Sequence, residues 1–113
     1  MTTTSSIIEQ LTGVLDVASL RHRVIAQNVA NVNTPGYHRQ ELIFDKMLAS
    51  QQSGSLAGVN IVEDETAIPR ADGNTVQLDR EMADLAKNQL LYNAAVQLLS
   101  SRLGTLRAAI AGR

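Results

Sequence analysis

Apolar residues recur along the first third of the chain at alternating spacings of three and four positions. This spacing places them on one face of an α-helix and is typical of a helix that packs along a second helix. It predicts a helix over residues 5–33, begun by Ser5 or Ser6 as N-cap and ended by the Pro35-Gly36 pair. The apolar seam of this helix contains Leu11, Leu15, Ile25 and Val29.

The last third of the chain repeats this spacing and predicts a second helix over residues 79–111. Asp79 is its predicted N-cap, because aspartate accepts hydrogen bonds from the free N–H groups of a first helical turn. The acidic start and basic end of this segment also suit the helix dipole. Its apolar seam contains Leu85, Tyr92, Val96, Leu99, Leu103, Leu106 and Ile110.

Residues 34–78 lack the helical spacing and are predicted to form a turn and a small insert of strands and loops. Residues 42–44 are a strand candidate, and residues 45–52 suit one short helical segment. The β-branched run at 59–62 is predicted to pair with residues 66–69 as a hairpin. The insert would therefore separate the two long helices along the chain.

Together these elements predict a single domain over residues 1–113, of mainly α class, whose two long helices pair as an antiparallel, coiled-coil-like hairpin. The predicted contacts join Leu15, Ile25 and Val29 to Leu85, Val96 and Leu99. Each helix has a wider apolar face than one partner covers. The surplus predicts further contacts with other copies of the chain or with other proteins.

Composition narrows the class of partner. The net charge is −1, so no strong overall field attracts nucleic acid. Aromatic residues make up only 3% of the chain, which argues against an aromatic-lined pocket for a small-molecule substrate. The charge is nonetheless segregated, because residues 38–79 carry seven acidic and three basic residues, whereas residues 80–113 carry two and five.

No arrangement of reactive side chains predicts catalysis, a cofactor or a metal site. The chain has no cysteine, and its two histidines, His22 and His38, have no second ligand at metal-binding spacing. His22 falls on the seam of the first helix and is predicted to set its register. Asp64 and Glu65 are predicted to lie in a solvated loop tip rather than to act as a catalytic pair. The sequence therefore predicts a protein that is not an enzyme.

The most specific feature is a polar stretch where the first helix ends. Pro35 and Gly36 suit the second and third positions of a type II turn, in which Gly36 takes a positive φ. Asn31 and Asn33 are predicted to cap backbone groups freed at the helix end, since asparagine bonds readily to nearby backbone. The stretch contains Asn28, Asn31, Asn33, Thr34, Pro35, Gly36 and Tyr37. Its predicted role is conformational.

This stretch resembles the Ala-Asn-x-Asn-Thr-Pro-Gly-Tyr signature of bacterial flagellar rod and hook proteins. Residues 20–26, 72–82 and 87–95 are similar to the proximal rod type within that family. The resemblance implies a structural subunit that polymerises helically, with its terminal helices packed around the secretion channel. Head-to-tail contacts, which build open filaments, suit a chain with two differently charged parts.

The resemblance also implies partners and a location. The expected partners are other copies of the chain, other rod proteins, the rod–ring adaptor FliE, the membrane ring and the type III export apparatus. The expected location is the rod of the flagellar basal body, in the periplasm. The chain is expected to arrive there without a cleaved signal peptide, because its first residues lack the basic and apolar segments of one.

A second interpretation is a soluble helical-hairpin adaptor or export chaperone that binds partner helices in a groove. An adaptor would be folded on its own, whereas a rod subunit would be partly disordered until it assembles. Hydrogen exchange on the monomer distinguishes the two. A third interpretation, a small hydrolase, lacks any pairing of a nucleophile with a base.

Overall fold

The structure is a computed structural model and describes residues 2–112. Two long helices flank a small insert that holds one short helix and two strands. The elements are α1 (Thr2–Ala30), β1 (Gln40–Phe44), α2 (Lys46–Gln51), β2 (Val59–Glu63) and α3 (Leu78–Ile110). The mainly α class and the small β insert between two long helices confirm the fold predicted from the sequence.

α1 and α3 lie side by side in antiparallel directions. Asn28 of α1 donates from Nδ2 to Oε2 of Glu81 over 3.2 Å, and Asn88 of α3 donates from Nδ2 to the carbonyl oxygen of Ala18 over 2.8 Å. The described chain is elongated, with extents of 64 × 31 × 16 Å and a radius of gyration of 18.0 Å. A compact chain of this length would have a radius of gyration of about 13 Å.

α1 does not have the predicted ends. It begins at Thr2, so Ser5 and Ser6 lie inside the helix and are not its N-cap. It ends at Ala30 rather than at residue 33, because the chain then tightens into turns in which the Val32 N–H donates to a carbonyl only three residues earlier, over 3.2 Å.

α3 begins at Leu78, with Gln77 as the N-cap residue. The prediction of Asp79 as N-cap is wrong. The N–H of Glu81 donates to the carbonyl oxygen of Gln77 over 3.0 Å, which starts the helical hydrogen bonds two residues earlier. Asp79 and Glu81 therefore lie in the first turn, where negative charge suits the helix dipole.

The strand predicted at 42–44 lies in β1, and the short helix predicted at 45–52 is α2. Asp45 caps α2, because its Oδ1 accepts hydrogen bonds from the N–H groups of Met47 at 2.9 Å and Leu48 at 3.3 Å. The loop after α2 packs against the start of this helix. A Cβ atom on Gly58 would lie 2.7 Å from the Cβ of Ala49, so only glycine fits there.

The predicted hairpin between residues 59–62 and 66–69 is wrong. β2 pairs with β1 instead, in an antiparallel register that sets Gln40 opposite Glu63. The pairing continues past β2, because the N–H of Asp64 donates to the carbonyl oxygen of Arg39 over 3.0 Å. Asp64 then accepts a hydrogen bond from the N–H of Thr66, which turns the chain away from the sheet.

The core of the described chain is small and unusually polar. Its buried apolar residues are Ala18, Val24, Ile25, Val76 and Ala95. The buried polar and charged residues are Asn28, Arg39, Asp64, Asn74, Thr75, Glu81 and Asn88. None of these buried apolar residues is a leucine or an aromatic residue, so large apolar side chains contribute little to the interior. Specific polar contacts therefore fix the geometry of this fold.

The helices within residues 2–112 are too short or too polar for any of them to cross a membrane.

Candidate functional site

A buried ionic cluster joins the insert to both long helices. We call Asn28, Arg39, Asp64 and Glu81 the Arg39 cluster. The guanidinium of Arg39 donates from Nε to Oε1 of Glu81 over 2.7 Å and from Nη1 to Oδ2 of Asp64 over 2.6 Å. Each of these three charged side chains is at most 4% exposed. Because one cation lies between two buried anions, the loop after β2 is held against the start of α3.

Asn28 belongs both to this cluster and to the polar stretch at residues 28–37, which we call the signature stretch. Its side-chain amide donates to the carbonyl oxygen of Gln40 over 2.9 Å, and its Oδ1 accepts from the N–H of Gln40 over 3.0 Å. The same Oδ1 accepts from the Tyr37 hydroxyl over 3.2 Å. Burial, followed by the negative charge of Glu81, raises the pKa of Tyr37, so this hydroxyl remains a donor at neutral pH. One asparagine therefore aligns the first strand with α1.

The sequence predicts that Asp64 lies in a solvated loop tip, and this prediction is wrong, because Asp64 is buried. Its neighbour Glu65 is exposed, as predicted. The hydrogen bond from the Thr66 hydroxyl, 2.6 Å long, is the largest cause of a lowered Asp64 pKa. Burial opposes this change, but Arg39 adds to it, and the pKa falls to about 2. For Arg39 itself burial alone would lower the pKa, yet its hydrogen bonds to Glu81 and Asp64 outweigh that effect and raise it.

The low pKa of Asp64 predicts a dependence of stability on acid. A carboxyl with a pKa near 4 when unfolded and about 2 when folded stabilises the fold fully above pH 4, and this contribution is lost as the pH falls towards 2. We therefore expect the difference in unfolding free energy between the wild type and Asp64→Asn to shrink over this interval. Urea titrations at several pH values measure it, with Glu65→Gln as the exposed control. A difference that stays constant down to pH 2 would contradict the assignment.

The turn at the end of α1 has the predicted form. Gly36 has a φ of +73°, and the N–H of Tyr37 donates to the carbonyl oxygen of Thr34 over 3.2 Å. The Nδ2 of Asn31 donates to the carbonyl oxygen of Gln27 over 2.8 Å. That carbonyl also accepts the Asn31 N–H, so it is not one of the freed groups that Asn31 was predicted to cap. Asn33 and Pro35 are exposed. No hydrogen bond of the Asn33 side chain was found among the described residues, so its predicted capping of the helix end is not confirmed.

A second loop, just before α3, packs against this turn. We call residues 70–76 the Asn74 clasp. Asn74 is fully buried, and its Nδ2 lies 2.9, 3.1 and 2.8 Å from the carbonyl oxygens of Asn31, Val32 and Thr34. These carbonyls belong to the turns that follow α1, and those of Asn31 and Thr34 also accept backbone N–H groups. The clasp therefore holds the turns at the end of α1 in place.

Two glycines meet where the clasp and the turn touch. The N–H of Gly36 donates to the carbonyl oxygen of Asp72 over 2.9 Å, and a Cβ on Gly73 would lie 3.4 Å from the Cα of Gly36. Both glycines have positive φ. The Gly73 backbone can approach Gly36 this closely because Gly73 has no side chain.

Gly36→Val tests this turn. Space is free around the Cβ position of Gly36, so we expect the cost to come from backbone strain, of about 1–3 kcal/mol in unfolding free energy. Gly36→Asn is expected to be milder, because asparagine tolerates the left-handed region. Gly54→Val is a matched control, since Gly54 also has a positive φ and free space but lies outside the turn. Urea titrations of the three variants measure these effects, and an unfolding free energy of Gly36→Val equal to that of the wild type would contradict this role.

The predicted seams are only partly inside the hairpin. In α1, Ile25 is buried and Leu11, Leu15 and Val29 are half-buried, whereas His22 is exposed and does not set the register. In α3, the buried positions are Glu81, Asn88 and Ala95, each one heptad from the next. Leu85, Leu99 and Leu106 are half-buried beside them.

The remaining α3 seam residues form an exposed apolar surface, which we call the α3 stripe. The stripe consists of Tyr92, Val96, Leu103 and Ile110, which are 38%, 42%, 41% and 79% exposed. The reason is a shift of one residue in the contact face: Ala95 rather than Val96 meets α1, and its small side chain allows the helices to lie close. The stripe is therefore free to contact another protein.

Sequence reasoning did not identify Arg39, Asn74 or Asn88. Arg39 is 25 residues from Asp64 and 42 from Glu81, so no local pattern links them. A signal existed for Asn88, because polar residues at 81 and 88 share one heptad position with Ala95. No group of three or more potential metal ligands was found in the described part of the chain.

Comparison with known proteins identifies relatives of this chain. A family model described as "Flagella basal body rod protein" matches residues 16–38, which hold the end of α1 and the signature stretch. The chain is 28% identical over 124 residues to the flagellar basal body rod protein FlgB of Bacillus subtilis strain 168, covering 96% of this chain and 95% of that protein. It is 30% identical over 103 residues to FlgB of Borrelia hermsii, covering 70% of this chain and 76% of that protein. It is 28% identical over 112 residues to FlgB of Salmonella typhimurium, covering 79% and 81%.

Proposed function

Because the chain belongs to the FlgB family of flagellar basal body rod proteins, we propose that it is a non-enzymatic subunit of the proximal rod. It polymerises helically through its two long helices. In the assembled rod it connects the membrane ring and the export apparatus to the distal rod, and so supports motility.

The single observation that carries this proposal is the imbalance between core and surface. Small or β-branched apolar residues fill the interior, while the α3 stripe and further residues such as Leu90 and Leu98 stay exposed. Apolar surface of this extent is favourable only when another protein covers it. A subunit surrounded by neighbouring helices meets that requirement.

The polar interior supports the same function. The Arg39 cluster and the Asn74 clasp tie the insert to α1 and α3 through charged and amide groups that leave little freedom of orientation. Buried polar contacts of this kind select one geometry rather than add much stability. A subunit in a helical lattice needs one fixed angle between its helices and its insert, because any error repeats along the polymer.

The partners and the location follow as parts of the proposal. We propose contacts with further copies of the chain, with other rod proteins, with the adaptor FliE and with the membrane ring. We place the chain in the periplasmic part of the rod, delivered by the type III export apparatus without a cleaved signal peptide. The acidic insert and the basic α3 suit head-to-tail contacts between subunits.

Purified basal bodies test the proposal. In the bacterium that encodes the chain, deletion of its gene is expected to abolish swimming, and a tagged copy is expected to restore it and to co-purify with the rod. A tagged copy that restores swimming yet is absent from purified basal bodies would overturn the proposal.

Hydrogen exchange separates a rod subunit from a freestanding adaptor. With so few buried apolar contacts, we expect amides in residues 8–30 and 82–110 of a verified monomer to exchange rapidly towards the helix ends. Strong protection along both helices in the monomer would favour the adaptor instead.

A further inference from the structure

A groove separates β1 from α3, and α1 forms its floor. We call it the β1–α3 groove; its volume is about 300 Å³. Val24 and Ile25 of α1 lie at the bottom, Leu42 lies on one wall and Leu91 on the other. The groove begins next to Arg39 and therefore borders the ionic cluster that holds the insert in place. Its apolar floor and open top can accept a segment of polypeptide.

The wall formed by β1 is a free strand edge. The backbone N–H of Asp64 donates to the Arg39 carbonyl, and the backbone N–H of Asp45 donates to the Gly58 carbonyl. The odd-numbered residues of β1 therefore direct their backbone groups towards β2. Even-numbered residues must then turn their N–H and C=O groups the opposite way. Leu42 is one of these, and it lies in the groove wall. An edge of this kind offers a donor and an acceptor to another strand.

The neighbouring even-numbered residue shows how this edge is used. Gln40 donates its N–H to Asn28 Oδ1 over 3.0 Å and accepts from Asn28 Nδ2 over 2.9 Å. This is the pair of hydrogen bonds that a residue of an adjacent strand would make. The Asn28 amide therefore imitates one strand residue at Gln40, and the next position, Leu42, is open to a real one.

Charge indicates the chemistry of the occupant. Arg21, Arg39, Arg80 and Lys87 line the groove together with Glu41 and Asp84, and the buried carboxylates of Asp64 and Glu81 lie beside Arg39. Arg39 pairs with Glu81 and Asp64 and also contacts Glu41 and Asp84, while Arg80 pairs with Asp64. Arg21 and Lys87 are the two lining cations for which no ion pair was found among the described residues. An acidic side chain would pair with these two cations.

We propose that the β1–α3 groove binds an extended, acidic segment of a neighbouring rod subunit, which pairs with β1 at Leu42 as an added strand. The main chain of the segment bonds to Leu42, and its carboxylate contacts Lys87 and Arg21. An added strand also makes the two-stranded sheet three-stranded, which stabilises it. This inference rests on the proposed function, because the segment comes from the rod.

Photo-crosslinking in living cells tests the occupant. Glu41, at the groove wall, is replaced by benzoylphenylalanine, and Ile68, far more exposed, serves as the control position. In purified basal bodies we expect the adduct at 41 to map to a segment that contains aspartate or glutamate. We expect Lys87→Glu to reduce that adduct at least tenfold, and a lysine in place of the captured carboxylate to restore it. Basal bodies that contain the chain but show no adduct, or an adduct on a helix, would overturn the inference.

Leu42→Pro tests strand pairing itself. Proline removes an N–H that points away from β2, so the pairing of β1 with β2 is expected to remain. Leu42→Ala is the matched control, since it shortens the side chain but keeps the N–H. We expect at least a tenfold loss of assembled rods with Leu42→Pro relative to Leu42→Ala, and protected amides at Glu41 and Ile43 verify that β1 is intact. Equal rod numbers for the two variants would overturn strand addition.

The two proposals fail in different ways. If the chain is absent from basal bodies, the proposed function is wrong. If the chain is present and the groove gives no adduct, the rod function stands and only the strand partner is wrong.

Discussion

A chain carrying Leu103→Asp is expected to fold as well as the wild type does but to leave cells unable to swim. Leu103 lies in the α3 stripe and is 41% exposed in the single chain, so aspartate there costs the isolated hairpin only about 1 kcal/mol. In the rod the same position would be covered by a neighbour, and an unpaired buried carboxylate is strongly unfavourable. Because every copy carries the defect, rods should fail to form.

Ser101→Asp is the control for this experiment. Ser101 is exposed on the same helix, two residues away and outside the α3 stripe, so its variant adds the same charge without touching the apolar surface. Circular dichroism of the purified proteins and swimming in soft agar provide the two measurements. Leu106 is less suitable, because it is half-buried within the chain and its substitution would mix folding with assembly. If Leu103→Asp cells swim like Ser101→Asp cells, the stripe is not an assembly surface.

Arg39→Ala is expected to produce the largest loss of stability. It removes the one cation that bridges Glu81 and Asp64. Glu81 then keeps only the Asn28 amide as a partner, and Asp64 keeps Thr66 and the exposed Arg80. Breaking a buried ion pair in this way costs about 3–5 kcal/mol. A domain of this size has roughly 5–15 kcal/mol of stability in total, so the insert should detach from the helices. Urea unfolding, followed through the exchange of the Asp64 amide, measures the loss.

Arg80→Ala is the comparison for Arg39. Arg80 also contacts Asp64, over 3.3 Å, but its side chain is 45% exposed. Water screens such a pair, and its removal should cost less than about 1 kcal/mol. Equal losses for the two variants, or a loss below about 1 kcal/mol for Arg39→Ala, would show that the Arg39 cluster does not hold the insert.

Local features of the sequence predicted local features of the fold. The three-and-four spacing identified both long helices, Asp45 starts the predicted short helix, and the Pro35-Gly36 pair placed Gly36 at positive φ. In each of these cases the physical cause lies within a few residues of the effect. Boundaries were less well predicted, because the turns that follow α1 depend on Asn74, more than forty residues away.

The contacts that define the candidate site are distant in sequence. In the sequence Asp64 belongs to an acidic run, and only the fold shows that it lies beside Arg39. The pairing of β2 with β1 was missed because α2 and a loop separate the two strands along the chain. One row of the α3 seam was displaced by one residue, because the polar and small side chains of Glu81, Asn88 and Ala95 are buried instead of the larger apolar ones beside them. This displacement leaves the larger apolar side chains of the α3 stripe exposed, where a partner can cover them.

Electron cryo-microscopy of purified basal bodies, at a resolution that shows side chains, tests the proposed assembly most directly. The expected result is that Tyr92, Val96, Leu103 and Ile110 of this chain are buried against helices of adjacent rod subunits, with the α1–α3 hairpin intact. A rod in which these four side chains face water, or in which the chain is not present, would contradict it.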